Sequence, residues 1–242
     1  MLSTGWQEGK RENNAQHPHR RGRGLKWNGD TAGAKTNGVT AKRLVGLFDD
    51  ESRQTRRRAA DGLVTLLVGN ARPGDRQVVE DALDSSRPAL RWGAAFVLTR
   101  DGVGGGASSR AARIAEVAVE TLGHPDGDLR WAAAAIIRDL FPAQPRLRQL
   151  LATTASKDEN EQRVKMSLYC LRNIGEKDAG VFAEGLGHKD SGVRLAALSG
   201  LAATATTTAA VLAGIKECEC NDSEPGVRRA ATAVLARLRG SR

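Results

Sequence analysis

Aromatic residues are scarce in this chain of 242 residues, at 4% of the total, and there is a single tyrosine. The core of a β-sandwich draws heavily on aromatic and β-branched side chains, so this scarcity argues against that fold class. Alanine and leucine carry most of the apolar content, which favours closely packed helices. We therefore expect an all-α protein.

Cysteines and long apolar runs are also rare. Cys170, Cys218 and Cys220 are too few for a disulfide framework. The spacing of the last two points their sulfurs to different sides of a helix, which is poor for joint metal binding. The longest apolar run, Trp131–Ile137, is far short of a membrane span. We expect a cytoplasmic protein that binds no membrane, no metal and no cofactor.

The charge of the chain is basic, with a formal net value of +9. Such a balance suits an anionic partner, either nucleic acid or an acidic protein. Residues 1–38 hold seven Lys or Arg against three Asp or Glu and show no apolar period. They cannot bury enough apolar surface to offset the entropy of ordering, so we expect a disordered, basic, Gly/Arg-rich tail. The run 17–24 within it either binds RNA or DNA non-specifically or is simply solvated.

Six similar segments recur along residues 39–242, and the second residue of each is basic. They begin at Arg56, Leu90, Leu129, Val164, Val193 and Val227. Apolar residues recur within each segment at the spacing of one helical face, and small residues on that face let another helix approach closely. The other helix should precede each segment, over roughly 39–49, 74–84, 110–122, 144–154, 177–187 and 205–219. The glycine-rich stretch 101–107 reads as an inserted loop.

This pattern resembles the short HEAT repeat, with its signature Asp-x-x-Val-Arg-x-x-Ala-Ala-x-x-Leu. Asp190-Ser-Gly-Val193-Arg194-Leu-Ala-Ala197 and Pro225-Gly-Val227-Arg228-Arg-Ala-Ala231 carry it most clearly. The resemblance covers residues 39–242. It implies a right-handed α-solenoid of about six helical hairpins, whose second helices line the concave side. In the fourth segment, Arg163-Val164-Lys165 can be aligned in two ways, one residue apart.

The repeated basic residue has two interpretations. It could form a ladder for phosphates, or it could bond Asp residues and helix ends in neighbouring repeats. Because it lies on a flank, about 100° from the centre of the apolar face, we favour the structural role. His124 and His188 lie at equivalent turns, and the chain lacks the His-Glu pairs of the HEAT protein deoxyhypusine hydroxylase. We therefore expect these histidines to be part of the repeat and not metal ligands.

The residue after the repeated basic position points away from the first helix, in the direction of the concave groove. With the residue one turn further on, it defines the predicted partner-binding residues. These are Arg58, Trp92, Phe96, Trp131, Lys165, Tyr169, Leu195 and Arg229. In the fourth segment Met166 replaces Lys165 in one alignment, and Tyr169 belongs only to the other. The aromatic members either form an apolar strip flanked by cations or pack between adjacent repeats.

We expect a non-enzymatic scaffold that holds a peptide or a partner helix in this groove, with no catalytic residue. The alternative is a nucleic-acid-binding HEAT-repeat protein that uses the same basic and aromatic groove. Its groove would resemble that of the HEAT-like alkylpurine DNA glycosylases, which place an Asp near tryptophans. That Asp is missing here, since Phe96 follows Trp92 by four residues and Ala135 follows Trp131 by four.

Overall fold

The computed structural model of the chain describes residues 40–69, 71–102, 109–204 and 208–240. All of them lie in one compact unit that spans Val39–Arg242. Across these ranges the regular structure is helical, without a strand, and no helix combines the length and apolar content needed to cross a bilayer. The predicted tail and most of the predicted glycine-rich loop lie outside the described residues, and both stay predictions.

Twelve α-helices in the described ranges form six hairpins. The first helices are α1 Ala41–Gly46, α3 Asp75–Ala82, α5 Ser109–Thr121, α7 Arg146–Lys157, α9 Ala179–Glu184 and α11 Ala209–Asn221. The second helices are α2 Arg53–Gly69, α4 Pro88–Arg100, α6 Gly127–Leu140, α8 Glu161–Asn173, α10 Ser191–Leu201 and α12 Pro225–Gly240. Short 3₁₀ turns follow α1, α6 and α9, at Leu47–Asp49, Phe141–Ala143 and Gly185–Gly187.

The helices pack in two layers. Each second helix contacts its own first helix and the second helix of the next hairpin, from α2 through α4, α6, α8 and α10 to α12. One continuous core of alanine, leucine, isoleucine and valine side chains runs between the layers. The all-α solenoid of six helical hairpins that the repeat predicts is therefore confirmed.

Side-chain caps mark where four of the six second helices begin. Asp126, Asn160 and Asp190 accept backbone N–H bonds at the starts of α6, α8 and α10, at 2.9, 3.0 and 2.9 Å. The hydroxyl of Ser52 accepts the N–H of Thr55 at 3.3 Å at the start of α2. Such caps satisfy N–H groups that have no partner inside the helix. Equivalent positions can therefore be counted from the first residue of each second helix.

The fourth residue of five second helices is an arginine that bonds the turn before its own helix. These residues are Arg56, Arg91, Arg130, Arg194 and Arg228. Nη1 of Arg130 donates to the carbonyl oxygens of His124 and Pro125 at 2.6 and 2.8 Å. Arg194 makes the matching pair of contacts two repeats later in the chain. The structural role predicted for the repeated basic residue is therefore seen at Arg91, Arg130, Arg194 and Arg228. In the first repeat Arg56 makes this contact in place of the predicted Arg57.

Ion pairs connect neighbouring repeats. Nε and Nη2 of Arg194 donate to the two carboxylate oxygens of Asp222 at 2.7 and 2.8 Å, and the two side chains are only 11% and 5% exposed. Those hydrogen bonds hold the pKa of Asp222 below its ordinary value. Arg113 pairs with Asp84 at 2.9 Å in a much more exposed setting. Sequence separations of 28 and 29 residues place each pair across one repeat boundary.

Two further ion pairs join the first repeat to the third. Arg56 of α2 contacts Asp126 at 3.4 Å, and Arg53 of the same helix pairs with Asp128. Both acidic residues lie at the start of α6, and the sequence separation in the first pair is 70 residues. The starts of α2 and α6 are therefore within side-chain reach of each other, although α4 belongs to the repeat between them.

The two histidine turns are equivalent in the structure as well. Nδ1 of His124 accepts the N–H of Asp126 at 3.0 Å, and Nδ1 of His188 accepts the N–H of Asp190 at 3.0 Å. Each imidazole therefore closes the turn that leads into a second helix, as the sequence predicts.

Close helix approach depends on glycine at two positions. A Cβ atom added to Gly200 of α10 would overlap the Phe182 ring, and one added to Gly93 of α4 would overlap the Phe48 ring. Both phenylalanines are fully buried, so neither ring can move aside into solvent. The glycines thus provide the space that the two rings occupy in the core.

Replacing Gly200 by alanine should lower the free energy of unfolding by about 1–3 kcal/mol, because the new methyl group overpacks against Phe182. The matched control is Gly62→Ala, where the added Cβ makes only ordinary contacts of 3.5 and 3.6 Å with Leu44. That change should be neutral or stabilising by up to about 1 kcal/mol, since alanine favours a helix over glycine. Urea unfolding followed by circular dichroism measures both; equal effects would contradict the packing argument.

Replacing Asp222 by asparagine should cost about 3 kcal/mol, because it leaves the buried Arg194 guanidinium without its counter-charge. In the matched variant Asp84→Asn the broken pair is exposed, and the cost should stay below about 1 kcal/mol. Asp222 has a lowered pKa in the folded state, so its contribution is present above about pH 4 and is lost as the pH falls through the folded pKa. Urea titrations over that range should show the Asp222→Asn deficit shrinking with acid. A pH-independent deficit would refute the charge argument.

Candidate partner-binding face

The fifth residues of the six second helices form one row across the solenoid, because those helices pack side by side in order. We call this set the fifth-position row. Its members are Arg57, Trp92, Trp131, Lys165, Leu195 and Arg229. The residue one turn later in each helix, at the ninth position, lies beside the row.

In the first repeat the structure corrects the predicted register by one residue. The Ser52 cap makes Arg57 the fifth residue of α2 and Arg58 the sixth. Ala59 and Leu63 are buried at the seventh and eleventh positions, as their counterparts in α6 are. The three consecutive arginines at 56–58 gave no way to choose among alignments. Ser52, the cap residue upstream, is the local signal that identifies the correct alignment.

In the fourth repeat the Asn160 cap selects one of the two open alignments. Lys165 is the fifth residue of α8 and Tyr169 the ninth, while Met166 is buried in the core. The fourth position, which holds an arginine in the other five repeats, is occupied by buried Val164.

The tryptophans of the row lie in different environments. Trp131 is 55% exposed, and Val68 is the other exposed large apolar side chain among the described residues. Trp92 is 7% exposed and Phe96 is 5% exposed, with their rings stacked at a centroid distance of 5.6 Å. Of the two interpretations left open for the aromatic residues, packing in the core describes Trp92 and Phe96, whereas the Trp131 side chain is exposed.

Two cations lie on α2 and α8, the helices that come before and after the α4–α6 pair in which Trp131 lies. Asp128, one turn before it in α6, is paired with Arg53 of α2. Lys165 of α8 lies along α10, where a Cβ added to Gly192 would be 3.2 Å from its Cδ atom and 3.4 Å from Nζ. The glycine at that position leaves room for the lysine chain to run along the neighbouring helix.

An arginine contacts the ninth-position side chains of α8 and α10, which are Tyr169 and Ser199. The Arg172 guanidinium lies 5.5 Å from the centre of the Tyr169 ring, and Nη1 donates to the Ser199 hydroxyl at 2.5 Å. Tyr169 is therefore half-buried and covered on one face, so it offers less surface to a partner than Trp131 does.

At the other end of the row, α2 contributes a carboxylate. Partial burial raises the pKa of Asp61, and the nearby charges of Arg100 and Arg57 oppose that rise. The Arg100 guanidinium also lies 4.5 Å from the centre of the Phe96 ring. This end of the face therefore has one carboxylate beside two guanidinium groups.

The row itself holds three cations, Arg57, Lys165 and Arg229, and no acidic residue. Leu195 and Lys165 are half-buried, whereas Arg229 is exposed. A face with one protruding indole, a partly exposed leucine and dispersed positive charge is suited to binding.

Groups that could react are few in the described ranges. Burial raises the pKa of the Cys170 thiol to about 12, so it stays protonated at neutral pH. The described residues contain no group of three or more His, Cys, Asp or Glu side chains placed to hold a metal ion.

No family model matches the chain, and no curated protein sequence matches it. Among solved structures, the chain is similar to the Drosophila melanogaster Mini spindles TOG3 domain, with 13% identity over 82% of this chain and 94% of that one and a TM-score of 0.54. The MAST/Orbit N-terminal domain matches with 15% identity over 84% and 98% and a TM-score of 0.50. Importin beta matches with 17% identity, 82% of this chain but 28% of its own, and a TM-score of 0.50.

These structures define the class of the described unit, which is a helical-repeat solenoid of the HEAT/armadillo type. At such low identities the likeness shows the fold alone, and fold does not determine the partner.

The two tryptophans should differ in their access to a fluorescence quencher. In the full chain, Trp131→Phe should remove emission that acrylamide quenches readily, because that indole is exposed. Trp92→Phe should instead remove a shielded component and raise the average quenching constant of what remains. Stern–Volmer plots of both variants and of the unaltered protein measure this. Equal losses of accessible emission would refute the assigned environments.

Proposed function

We propose that the fifth-position row binds an acidic segment of a partner protein, with Trp131 as the apolar anchor. The observation that carries the proposal is the exposed indole of Trp131, placed near the middle of a row whose charged members are all cations. The protein is, on this proposal, an interaction scaffold that performs no chemistry on its partner.

The apolar part of the proposal depends on the exposure of Trp131, which is unusual for a large apolar side chain in this protein. Large apolar side chains elsewhere in the described ranges are mostly withdrawn into the core. Tryptophan is enriched among the residues that dominate binding energy at interfaces, where its ring enters a pocket or covers an apolar side chain. An aliphatic or aromatic residue of the partner is the matching group for this indole.

The charge of the partner follows from the row. Arg57, Lys165 and Arg229 are spread over the first, fourth and sixth repeats. Helices packed side by side lie about 8–10 Å apart, so the charges are separated by two or three such steps. An acidic segment would place carboxylates near several of these cations, which steers association and selects against basic partners.

A nucleic acid suits the face less well than a peptide does. Single strands bind on rows of exposed rings that stack successive bases. Here Trp92 and Phe96 are buried and Arg172 covers one face of Tyr169, which leaves a single exposed indole on the row. Most of the repeated arginines are also bonded to carbonyl groups of the protein. Nucleic-acid binding is therefore the second candidate.

The proposal is tested by selecting peptides from a random phage-displayed library on the full chain, then measuring selected peptides by fluorescence polarisation. The expected peptides are acidic and contain an aliphatic or aromatic residue. Trp131→Ala should weaken them at least about tenfold, as expected for the loss of a central anchor. Lys165→Glu should weaken them as well, by repelling their carboxylates.

Two matched variants control for general surface effects. Val68→Ala shortens the other large apolar side chain that is exposed in the described ranges, and Lys216→Glu reverses a charge on a first helix, α11. Neither should change affinity beyond about twofold. Enrichment of basic peptides, no enrichment at all, or equal losses in control and row variants would each overturn the proposal. So would tight, salt-sensitive binding of a labelled oligonucleotide that Trp131→Ala weakens, which would favour nucleic acid.

A further inference from the structure

A cleft of about 190 Å³ lies beside the buried second member of the fifth-position row, Trp92. Pro88 and Ala89 at the start of α4 line one side, and Glu120 and His124 at the end of α5 line another. The side chains of Trp92 and Arg163 complete it. Trp131 does not line this cleft, so the cleft and the exposed indole of the partner-binding face can be tested separately.

Trp92 lines the cleft with an unsatisfied donor. Its side chain is 7% exposed, and its indole Nε1 is buried without a hydrogen-bond partner among the described residues. An indole N–H can only donate, so an acceptor must come from outside the helices to satisfy it. Leaving a buried donor unpaired is destabilising. The stacked ring of Phe96 holds the indole in place.

Arg163 contributes a second donor to the same cleft. Its Nη1 donates to the Asp158 carboxylate at 2.8 Å, whereas its Nε is buried and has no partner in the described part of the chain. Two buried N–H donors without acceptors therefore belong to side chains that line one cleft. A cleft in which unpaired donors outnumber unpaired acceptors is suited to an anion.

The other groups that line the cleft also favour an anion. Arg87, which precedes α4, makes no side-chain capping bond, and Pro88 and Ala89 at the positive end of that helix dipole line the cleft. Nδ1 of His124 accepts the N–H of Asp126, and burial lowers the pKa of this imidazole. The neutral ring carries its proton on Nε2, which is one more donor.

The charges that line the cleft suit a monoanion. Two guanidinium groups, of Arg91 and Arg163, stand against one carboxylate, that of Glu120, which is paired with Arg91. Arg163 is in turn paired with Asp158, so a bound anion would share this guanidinium with that carboxylate. Such limited positive charge matches a carboxylate better than a doubly charged phosphate.

We propose that this cleft is a carboxylate-binding site, in which a carboxylate oxygen accepts the N–H of Trp92 while the guanidinium of Arg163 supplies the counter-charge. The carboxylate is either a free small acid or the side chain or terminus of a peptide. Both sources present the same two oxygens.

The test is a titration of the ¹⁵N-labelled full chain with sodium acetate, followed by the indole ¹H–¹⁵N cross-peaks. The Trp92 peak is identified by its loss in Trp92→Phe. It should shift downfield and saturate with acetate, and sodium chloride at equal ionic strength should not move it. The Trp131 peak serves as an internal control and should stay unmoved. A glutamate-containing peptide that saturates at lower concentration than acetate would identify the peptide as the source; acetate saturating first would identify the free acid.

Arg163→Gln should weaken acetate binding about tenfold or more, as expected for removing a charged hydrogen-bonding group. The matched variant Arg146→Gln removes an exposed arginine of α7 that does not line the cleft, and it should bind acetate normally. Trp131→Ala should also bind acetate normally, which separates this site from the partner-binding face. An unmoved Trp92 peak, an equal response to chloride, tighter binding of phosphate than of acetate, or equal losses in both arginine variants would overturn the assignment.

Discussion

An arginine that reaches back to the turn before its own helix is the contact on which the repeat depends. In five second helices the guanidinium at the fourth position donates to a carbonyl group six residues earlier. Buried carbonyl groups need such donors, and a turn between two packed helices has few others available. The guanidinium groups of Arg91 and Arg194 each also pair with a carboxylate of the next repeat. One side chain therefore connects a turn, a helix start and a neighbouring repeat.

That contact also explains why the fifth residues of the second helices occupy equivalent places. In the five second helices that have this arginine, its side chain is held against the turn, so the next residue is turned by the same angle relative to the core. In α8 the Asn160 cap gives Lys165 the equivalent place. Residues as different as tryptophan, lysine, leucine and arginine then occupy equivalent places. The scaffold keeps its geometry while the fifth residue is free to vary, which is how repeat proteins separate folding from recognition.

Much of this architecture was predictable from the sequence, because a helical apolar period repeated six times has few structural solutions. The register was harder at two places, since the arginine run at 56–58 and the stretch 163–165 each fit more than one alignment. Local caps at Ser52 and Asn160 resolved both. The contrast between Trp92 and Trp131 was not predictable, because both follow Leu-Arg in nearly identical segments. Their exposure depends on how closely neighbouring helices approach each indole, and the local sequence does not determine that distance.

The ion pairs that join Arg53 and Arg56 to the start of α6 affect how the first repeats open from the end of the solenoid. In a simple stack each repeat touches only its neighbours, and the array can open one unit at a time from an end. Here the first repeat is tied to the third, so fraying of the first unit also loosens the third. Opening of the first repeat therefore also breaks contacts of the third, a coupling that reaches beyond the nearest neighbour.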